Sequence, residues 1–304
     1  LGRCLEADDD AEEKYAEFLK STIDVDIKGI KLVLDCANGA AYSVAEKVYS
    51  ELGADITVIG NEPNGVNIND GYGSTHPEKL QEEVVKQGAF MGLAYDGDAD
   101  RLIAVDEKGR IIDGDKLICI CAKMMKDRKQ LAGDIVTATV MSNIGFHKYI
   151  NGMGCSVEVT GVGDRYVLES MLKTGSRIGG EQSGHIIFLN HTTTGDGILS
   201  SLQLLQAVLL SGRKPSELSD EIEIFPQVLR NARVKNENKS IFMDDSEIKD
   251  AVAKVEKEIE GSGRLLIRPS GTEPLVRVML EGQDVAHITQ LAEGLADILT
   301  KRFG

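Results

Sequence analysis

Long apolar runs are missing from these 304 residues. None approaches the roughly 18 residues that a membrane helix needs, and the N-terminus has no signal-like pattern, so no membrane partner is expected. Paired cysteines are missing too. The five cysteines, Cys4, Cys36, Cys119, Cys121 and Cys155, are odd in number, and no CxxC occurs. That argues against a disulfide framework or structural zinc and points to a reducing, cytoplasmic setting. Cys119 and Cys121 lie in an apolar run, where burial as small hydrophobes is the expected role. Positive charge is scarce: 34 Lys+Arg face 49 Asp+Glu, a formal charge of −15. Such a balance disfavours duplex nucleic acid, whose affinity comes largely from neutralised phosphates. An anionic substrate would have to be held by local arginines and backbone N–H groups. Low-complexity tracts and short repeats are also absent. With 42% hydrophobic and 27% charged residues, the composition is that of a globular protein rather than a disordered or fibrous one. At roughly 100–200 residues per domain, it suggests two or three domains.

From residue 31 onward, apolar strands alternate with helical stretches. Strands are expected at 31–35, 55–59 and 90–95, helices at 40–52 and 77–87, and a Gly/Asn-rich loop over 62–75. Residues 8–19 read as a polar helix with an acidic start. Glu107-Lys108-Gly109, between 102–106 and 110–112, predicts a hairpin. A second α/β unit has helices at 116–125, 144–150, 165–172 and 196–210, with strands at 135–140 and 157–160. Pro215 and Pro226 bracket a junction. Beyond it come strands at 230–234, 264–267 and 275–280 and helices at 247–258 and 285–301. The expected class is α/β: two α/β domains and a smaller C-terminal α+β domain, divided as 1–112, 113–222 and 223–304.

The sharpest constellation is Asp96-Gly97-Asp98-Ala99-Asp100-Arg101, directly after an apolar strand. Three carboxylates at alternate positions converge only where the chain curls around one point, and there they repel unless a cation joins them. All-oxygen ligands suit Mg²⁺ or Ca²⁺. The end of a sheet strand is also where α/β proteins place ligands. Other readings stand beside this one. As an EF-hand loop, Asp96, Asp98, Asp100 and Glu107 fall on ligand positions, but Arg101 stands where Gly is required and both flanks read as strands. A strand followed by DxD also suits a phosphotransferase with Asp96 as nucleophile and Asp98 as acid/base, which leaves Asp100 without a part. The plainest alternative is a solvated acidic turn.

A second loop, Gly179-Gly180-Glu181-Gln182-Ser183-Gly184-His185, has glycines that let the backbone turn and present its polar side chains outward. Glu181 can accept two hydroxyls, Ser183 can donate or accept, and His185 can act near neutral pH, although a lone loop histidine is more often structural. A third stretch, Arg268-Pro269-Ser270-Gly271-Thr272-Glu273-Pro274 with Arg277 beyond, offers hydroxyls, consecutive N–H groups and two guanidiniums, the makings of a phosphate nest. The alternative is a turn between two strands, punctuated by Pro and Gly. In Gly161-Val162-Gly163-Asp164-Arg165, Asp164 is expected as a helix N-cap, while Arg165 can reach an anion. Ser74-Thr75-His76-Pro77 places Ser beside His, but its position predicts a helix cap with Pro at the first helical residue.

In chain order, DGDADR, GDRYV, GGEQSGH and RPSGTEPLVRVMLEG resemble the α-D-phosphohexomutase superfamily. The last two are most similar to its bacterial phosphoglucosamine mutase branch. The resemblance runs from Lys31 to the C-terminus and implies phosphohexomutase-type domains. Members of that superfamily have four: a phosphoserine domain with a Ser-His-Asn-Pro stretch, then domains carrying the Mg²⁺, sugar and phosphate loops. No Ser-His-Asn-Pro occurs here, and the chain opens on Leu1, where the second domain is expected to begin. A piece of a longer protein, inactive alone, is therefore expected.

The implied activity is that of an isomerase, an intramolecular phosphotransferase. It converts glucosamine 6-phosphate to glucosamine 1-phosphate through a 1,6-bisphosphate, towards UDP-N-acetylglucosamine and the cell wall. Another phosphohexomutase (a phosphoglucomutase or phosphomannomutase), or an inactive Mg²⁺- and phosphosugar-binding fragment, stays open. The resemblance implies Mg²⁺ on Asp96, Asp98 and Asp100, and Arg101 facing the transferring phosphate. It puts Asp164, Arg165, Glu181, Ser183 and His185 on the sugar, with His185 as proton acceptor. Arg268, Ser270, Gly271, Thr272 and Arg277 would hold the other phosphate. The implied partner is a hexosamine phosphate; the oligomeric state is left open.

Overall fold

The computed structural model of the chain describes residues 10–271 and 273–304, so Cys4, Thr272 and the start of the helix expected at 8–19 lie outside the described residues. The chain divides into two compact units. One runs up to Ser142 and resumes over Phe146–Glu223; the other comprises Asn143–Gly145 and Ile224–Gly304.

In the first unit, β1 (Lys31–Asp35) lies between β2 (Asp55–Ile59) and β3 (Met91–Tyr95), all parallel. β4 (Leu102–Asp106) and β5 (Ile111–Ile112) extend this sheet antiparallel, in the order β2-β1-β3-β4-β5. Strands covered on both faces read as continuous apolar runs, and β3 is buried throughout. Val33, Ala94 and Val105 form a small core with Leu80 and Val84 of α3 (Glu78–Gln87). The neighbouring Leu32, Leu34 and Leu93 join the main core with α1 (Ala11–Lys20) and α2 (Ala41–Glu51). The 107–109 turn is the expected hairpin.

A second sheet in this unit has the order β7-β6-β8-β9. β6 (Ile135–Thr139) runs parallel to β7 (Ser156–Thr160) and β8 (Ile178–Gly180), and β9 (Ile186–Phe188) pairs antiparallel with β8. Its helices are α4 (Gly114–Asp127), α5 (Ile144–Gly152), α6 (Asp164–Thr174), α7 (Gly197–Ser211) and α8 (Pro215–Asp220). α7 is buried from Gly197 to Val208 and packs on α4 within the core that both sheets share. Asp196 caps α7 through Leu199 N (2.9 Å) and accepts from Tyr15 Oη (2.7 Å).

The C-terminal unit is an antiparallel sheet in the order β10-β12-β11, formed by β10 (Gln227–Arg233), β12 (Leu275–Gly282) and β11 (Gly263–Pro269). With α9 (Ser246–Glu258) and α10 (Val285–Phe303) it builds a separate core around Val276, Val278, Leu280, Ile288 and Leu295. Glu281 is fully buried. It sits opposite Arg264 in register, ion-pairs with it at 3.1 Å and accepts from Ile144 N at 3.0 Å. The expected class stands: α/β throughout the first two portions, then α+β. No helix among the described residues is long and apolar enough to cross a membrane.

Two expected caps are corrected. Pro77 itself occupies the cap position of α3 with no side-chain cap bond, while Ser74 is held by its amide, which donates to Tyr95 O at 2.8 Å. Gly163, not Asp164, caps α6, because the entry needs φ 130°, a region that glycine tolerates; Asp164 opens the first turn instead. Strands β8 and β9 are not legible as strands: each is three residues long, and β8 reads Ile-Gly-Gly.

Candidate active site

The DGDADR turn leaves the end of β3 and enters β4, so its flanks are strands and the EF-hand alternative falls. Asp96 closes the turn by accepting from Arg101 N (3.1 Å), and Ala99 adopts φ 61°. A Cβ on Gly39 would lie 2.3 Å from Gly97 O, so the two backbones meet directly, and Ala40 N donates to Gly97 O at 2.8 Å. Asp96, Asp98 and Asp100 each bring a carboxylate oxygen within 4.8 Å of the others. Burial, followed by the charges of Asp100 and Asp98, pushes the Asp96 carboxyl up to about 6, despite the opposing bond from Arg101 N. Three convergent oxygen donors, one destabilised as an anion by its neighbours, fit a hard divalent cation; the group can hold a metal ion.

The GGEQSGH stretch is the hairpin between β8 and β9. Its turn is pinned by Gly184 N to Glu181 O (2.9 Å) and Glu181 N to His185 O (3.0 Å). Arg101 and His185 form an antiparallel bridge, and Leu102 N donates to Gly184 O at 3.0 Å. The acidic turn and this hairpin are thereby joined. His185 is only 4% exposed, the burial that a structural loop histidine has. Its Nε2 lies 3.6 Å from Asp100 Oδ2, and a Cβ on Gly195 would come within 2.3 Å of that nitrogen. Ser183 is exposed. Glu181 Oε1 accepts from Gly163 N at 3.1 Å, which draws the 161–165 loop to the same place. Arg101 Nε lies 3.6 Å from Asp96 and 3.7 Å from Asp100. Arg165 turns away to Glu169 (2.7 Å) on its own helix, and that carboxylate raises the guanidinium's pKa further.

In the C-terminal unit, β11 and β12 place Arg268 opposite Arg277. Arg268, Pro269, Ser270, Gly271 and Arg277 line a recess of about 160 Å³. Ser270 Oγ accepts from Glu273 N (3.2 Å), Arg277 pairs with Glu273 (3.2 Å), and Lys239 Nζ donates to Ser270 O (2.7 Å). Thr272 lies outside the described residues.

Sequence reasoning missed Gly39, Gly195 and Lys239. No local pattern marks them, because each acts on a segment far away in the chain. A cavity of about 750 Å³ opens elsewhere in the first unit, lined among others by Arg128, Tyr149 and Leu210, and none of the candidate residues borders it. The convergence of loops, not cavity size, marks the site.

Residues 13–109, 113–225 and 229–298 match family models of the phosphoglucomutase/phosphomannomutase alpha/beta/alpha domain II, alpha/beta/alpha domain III and C-terminal domain. Over 302 residues the chain is 52% identical to the phosphoglucosamine mutase of Clostridium novyi, covering 99% of this chain and 67% of that protein. The chain belongs to the α-D-phosphohexomutase superfamily. A second phosphohexomutase relative, the phosphoglucosamine mutase of Clostridium acetobutylicum, is 54% identical over 97% of this chain and 66% of its own length. The chain thus spans about two thirds of the length of these curated relatives. A crystal structure of Aspergillus fumigatus N-acetylphosphoglucosamine mutase in complex with GlcNAc-6P and magnesium shares the phosphohexomutase fold at a TM-score of 0.76 and 22% identity, covering 98% of this chain and 72% of that one.

Proposed function

We propose that the chain supplies the metal-, sugar- and phosphate-binding domains, 1–112, 113–222 and 223–304, of a cytoplasmic phosphoglucosamine mutase. This isomerase interconverts glucosamine 6-phosphate and glucosamine 1-phosphate through a 1,6-bisphosphate, on the way to cell-wall precursors. The observation that carries the reading is the joining of the three-aspartate turn to the Glu181–His185 hairpin through Arg101 and His185, in a chain whose relatives are phosphoglucosamine mutases.

Asp96, Asp98 and Asp100 would hold Mg²⁺, which when bound supplies positive charge next to a phosphoryl oxygen. Arg101 orients the transferring phosphate with its guanidinium, which is 43% exposed. Glu181 has one carboxylate oxygen engaged by Gly163 and offers the other to a sugar hydroxyl; Ser183 donates or accepts beside it. Asp164 borders the same hydroxyls, and Arg165 would leave Glu169 to reach them. His185 Nε2 holds or accepts a proton next to Asp100. Arg268, Ser270, Gly271, Thr272 and Arg277 bind the phosphate that does not react. The phosphoserine of the resemblance is assigned to none of these residues, so the chain alone binds phosphosugar without turning it over.

The test is phosphorus NMR of the purified chain with glucosamine 6-phosphate, Mg²⁺ and the 1,6-bisphosphate. Expected is a saturable shift of the phosphate resonance with no glucosamine 1-phosphate. In an enzyme completed with the phosphoserine-bearing segment, turnover should appear and Glu181→Ala should lower it about a hundredfold or more. Sustained turnover by the chain alone, or faster turnover of glucose or mannose phosphates by the completed enzyme, would overturn the reading.

A further inference from the structure

The first residues of α4 press against the hairpin turn that follows β8. Gly114 N donates to Gln182 O at 3.0 Å, and Gln182 Nε2 donates back to Asp113 Oδ2 at 3.3 Å. The other oxygen of Asp113 caps α4 by accepting from Lys116 N at 3.1 Å. One carboxylate therefore serves the helix and the turn at once. A Cβ on Gly114 would lie 2.1 Å from Glu181 O and 2.8 Å from Gly184 N. The backbone of Gly114 is not in the left-handed region, so an alanine there is excluded by the turn and not by its own torsions. From the other side, Gly163 N holds Glu181 Oε1 at 3.1 Å. Glu181 is thus gripped by its main chain and by one side-chain oxygen, and a glutamate held this way gives up little further rotamer freedom when a hydroxyl arrives.

We propose that Asp113 and Gly114 are positioning residues that fix the Glu181–Gly184 turn, so that the second oxygen of Glu181 and the hydroxyl of Ser183 are already placed for the sugar of a phosphosugar. This rests on reading that turn as the sugar grip. A cap alone would need only one oxygen of Asp113 and no glycine at 114.

The experiment is an amide NMR titration of the 304-residue chain with glucosamine 6-phosphate, and separately with inorganic phosphate as a probe of the C-terminal recess. Asp113→Ser keeps a good helix cap but cannot reach Gln182 as well. Gln182→Leu removes the same bond without touching the cap. Each should weaken glucosamine 6-phosphate binding about three- to tenfold, the range of one hydrogen bond, and the double variant should be no worse than either single one. Asp113→Asn should recover most of the affinity, since the Gln182 amide can turn over and accept. Gly114→Ala should lose more than either. Inorganic phosphate should bind all of them equally.

Glu181→Gln tests the underlying reading. If it weakens sugar-phosphate binding while Asp113→Ser and Gln182→Leu do not, the positioning role is overturned and the sugar grip stands. If Glu181→Gln binds like wild type, the grip and the positioning role fall together. Should Asp113→Ser lose its fold, seen as a lost melting transition, Gln182→Leu decides.

Discussion

Three carboxylates crowd the turn after β3, while two arginines stand opposite each other in the register of β11 and β12. The two loops differ in construction as much as in charge. The arginine loop is a contiguous hairpin. Strand register alone brings Arg268 to Arg277, and Lys239 reaches in from outside to hold Ser270 O. The acidic turn is shaped by remote segments. Gly39 meets Gly97 backbone to backbone, Ile68 and Asn69 lie where a Gly97 side chain would go, and Gly184 meets Leu102 where the turn enters β4. Behind it, Asp35 accepts from Gly73 N (2.8 Å) and Ala37 N (3.0 Å). A concentration of like charge must be held by something stronger than its own repulsion. In one unit that is a sheet register; in the other it is a set of close backbone approaches that only glycine permits.

The largest effect is expected at Glu281. Glu281→Ala leaves Arg264, which is 23% exposed, and the Ile144 amide without their acceptor. It should cost the C-terminal unit about 3–5 kcal/mol, read as early loss of amide protection in β11 and β12, with metal binding by the first unit unchanged. Burial holds the Glu281 carboxyl above its usual range, against the pull of Arg264. A raised folded value means its stabilising term is full below the ordinary glutamate pKa of about 4.3 and is lost as pH rises through the folded value. Glu281→Gln should flatten that slope in a pH series of melts.

Next in size is Gly39→Ala. Its methyl group would force Gly97 O back from 2.3 Å, costing the first unit about 1–3 kcal/mol and weakening Mg²⁺ binding in calorimetry while phosphate affinity holds. A sharper pair of variants follows. Asp98→Asn should lower Mg²⁺ affinity about tenfold without changing phosphate binding, and Arg268→Met should do the reverse, each removing roughly one charge-assisted contact. If either variant moves both affinities, the two loops are not energetically separate. The smallest effect belongs to Arg165→Ala. Its pair with Glu169 is 81% exposed on the arginine side, so the melting temperature should not move measurably.

Local patterns carried most of the architecture. Apolar runs at period two or fully apolar stretches marked β1, β3, β6, β10 and β12, and the turn at 107–109 marked a hairpin, because strand burial and turn torsions are written in neighbouring residues. The acidic turn and the arginine loop were legible as charge patterns for the same reason: Asp96, Asp98, Asp100 and the Arg268–Arg277 stretch are each contiguous. What the chain could not announce were effects that depend on distant partners. The three-residue strands β8 and β9 exist because each is paired by another strand. His185 is buried because Gly195 lets the backbone close over its ring. Ser74 is no cap because α3 starts only at Glu78, with Pro77 in the cap position. The order of residues sets which side chains can carry charge, hydrogen bonds and turns. Which of them meet is set by the folded chain, because the closest approaches join residues such as Gly39 with Gly97 and Gly114 with Glu181, and no short-range pattern couples such positions.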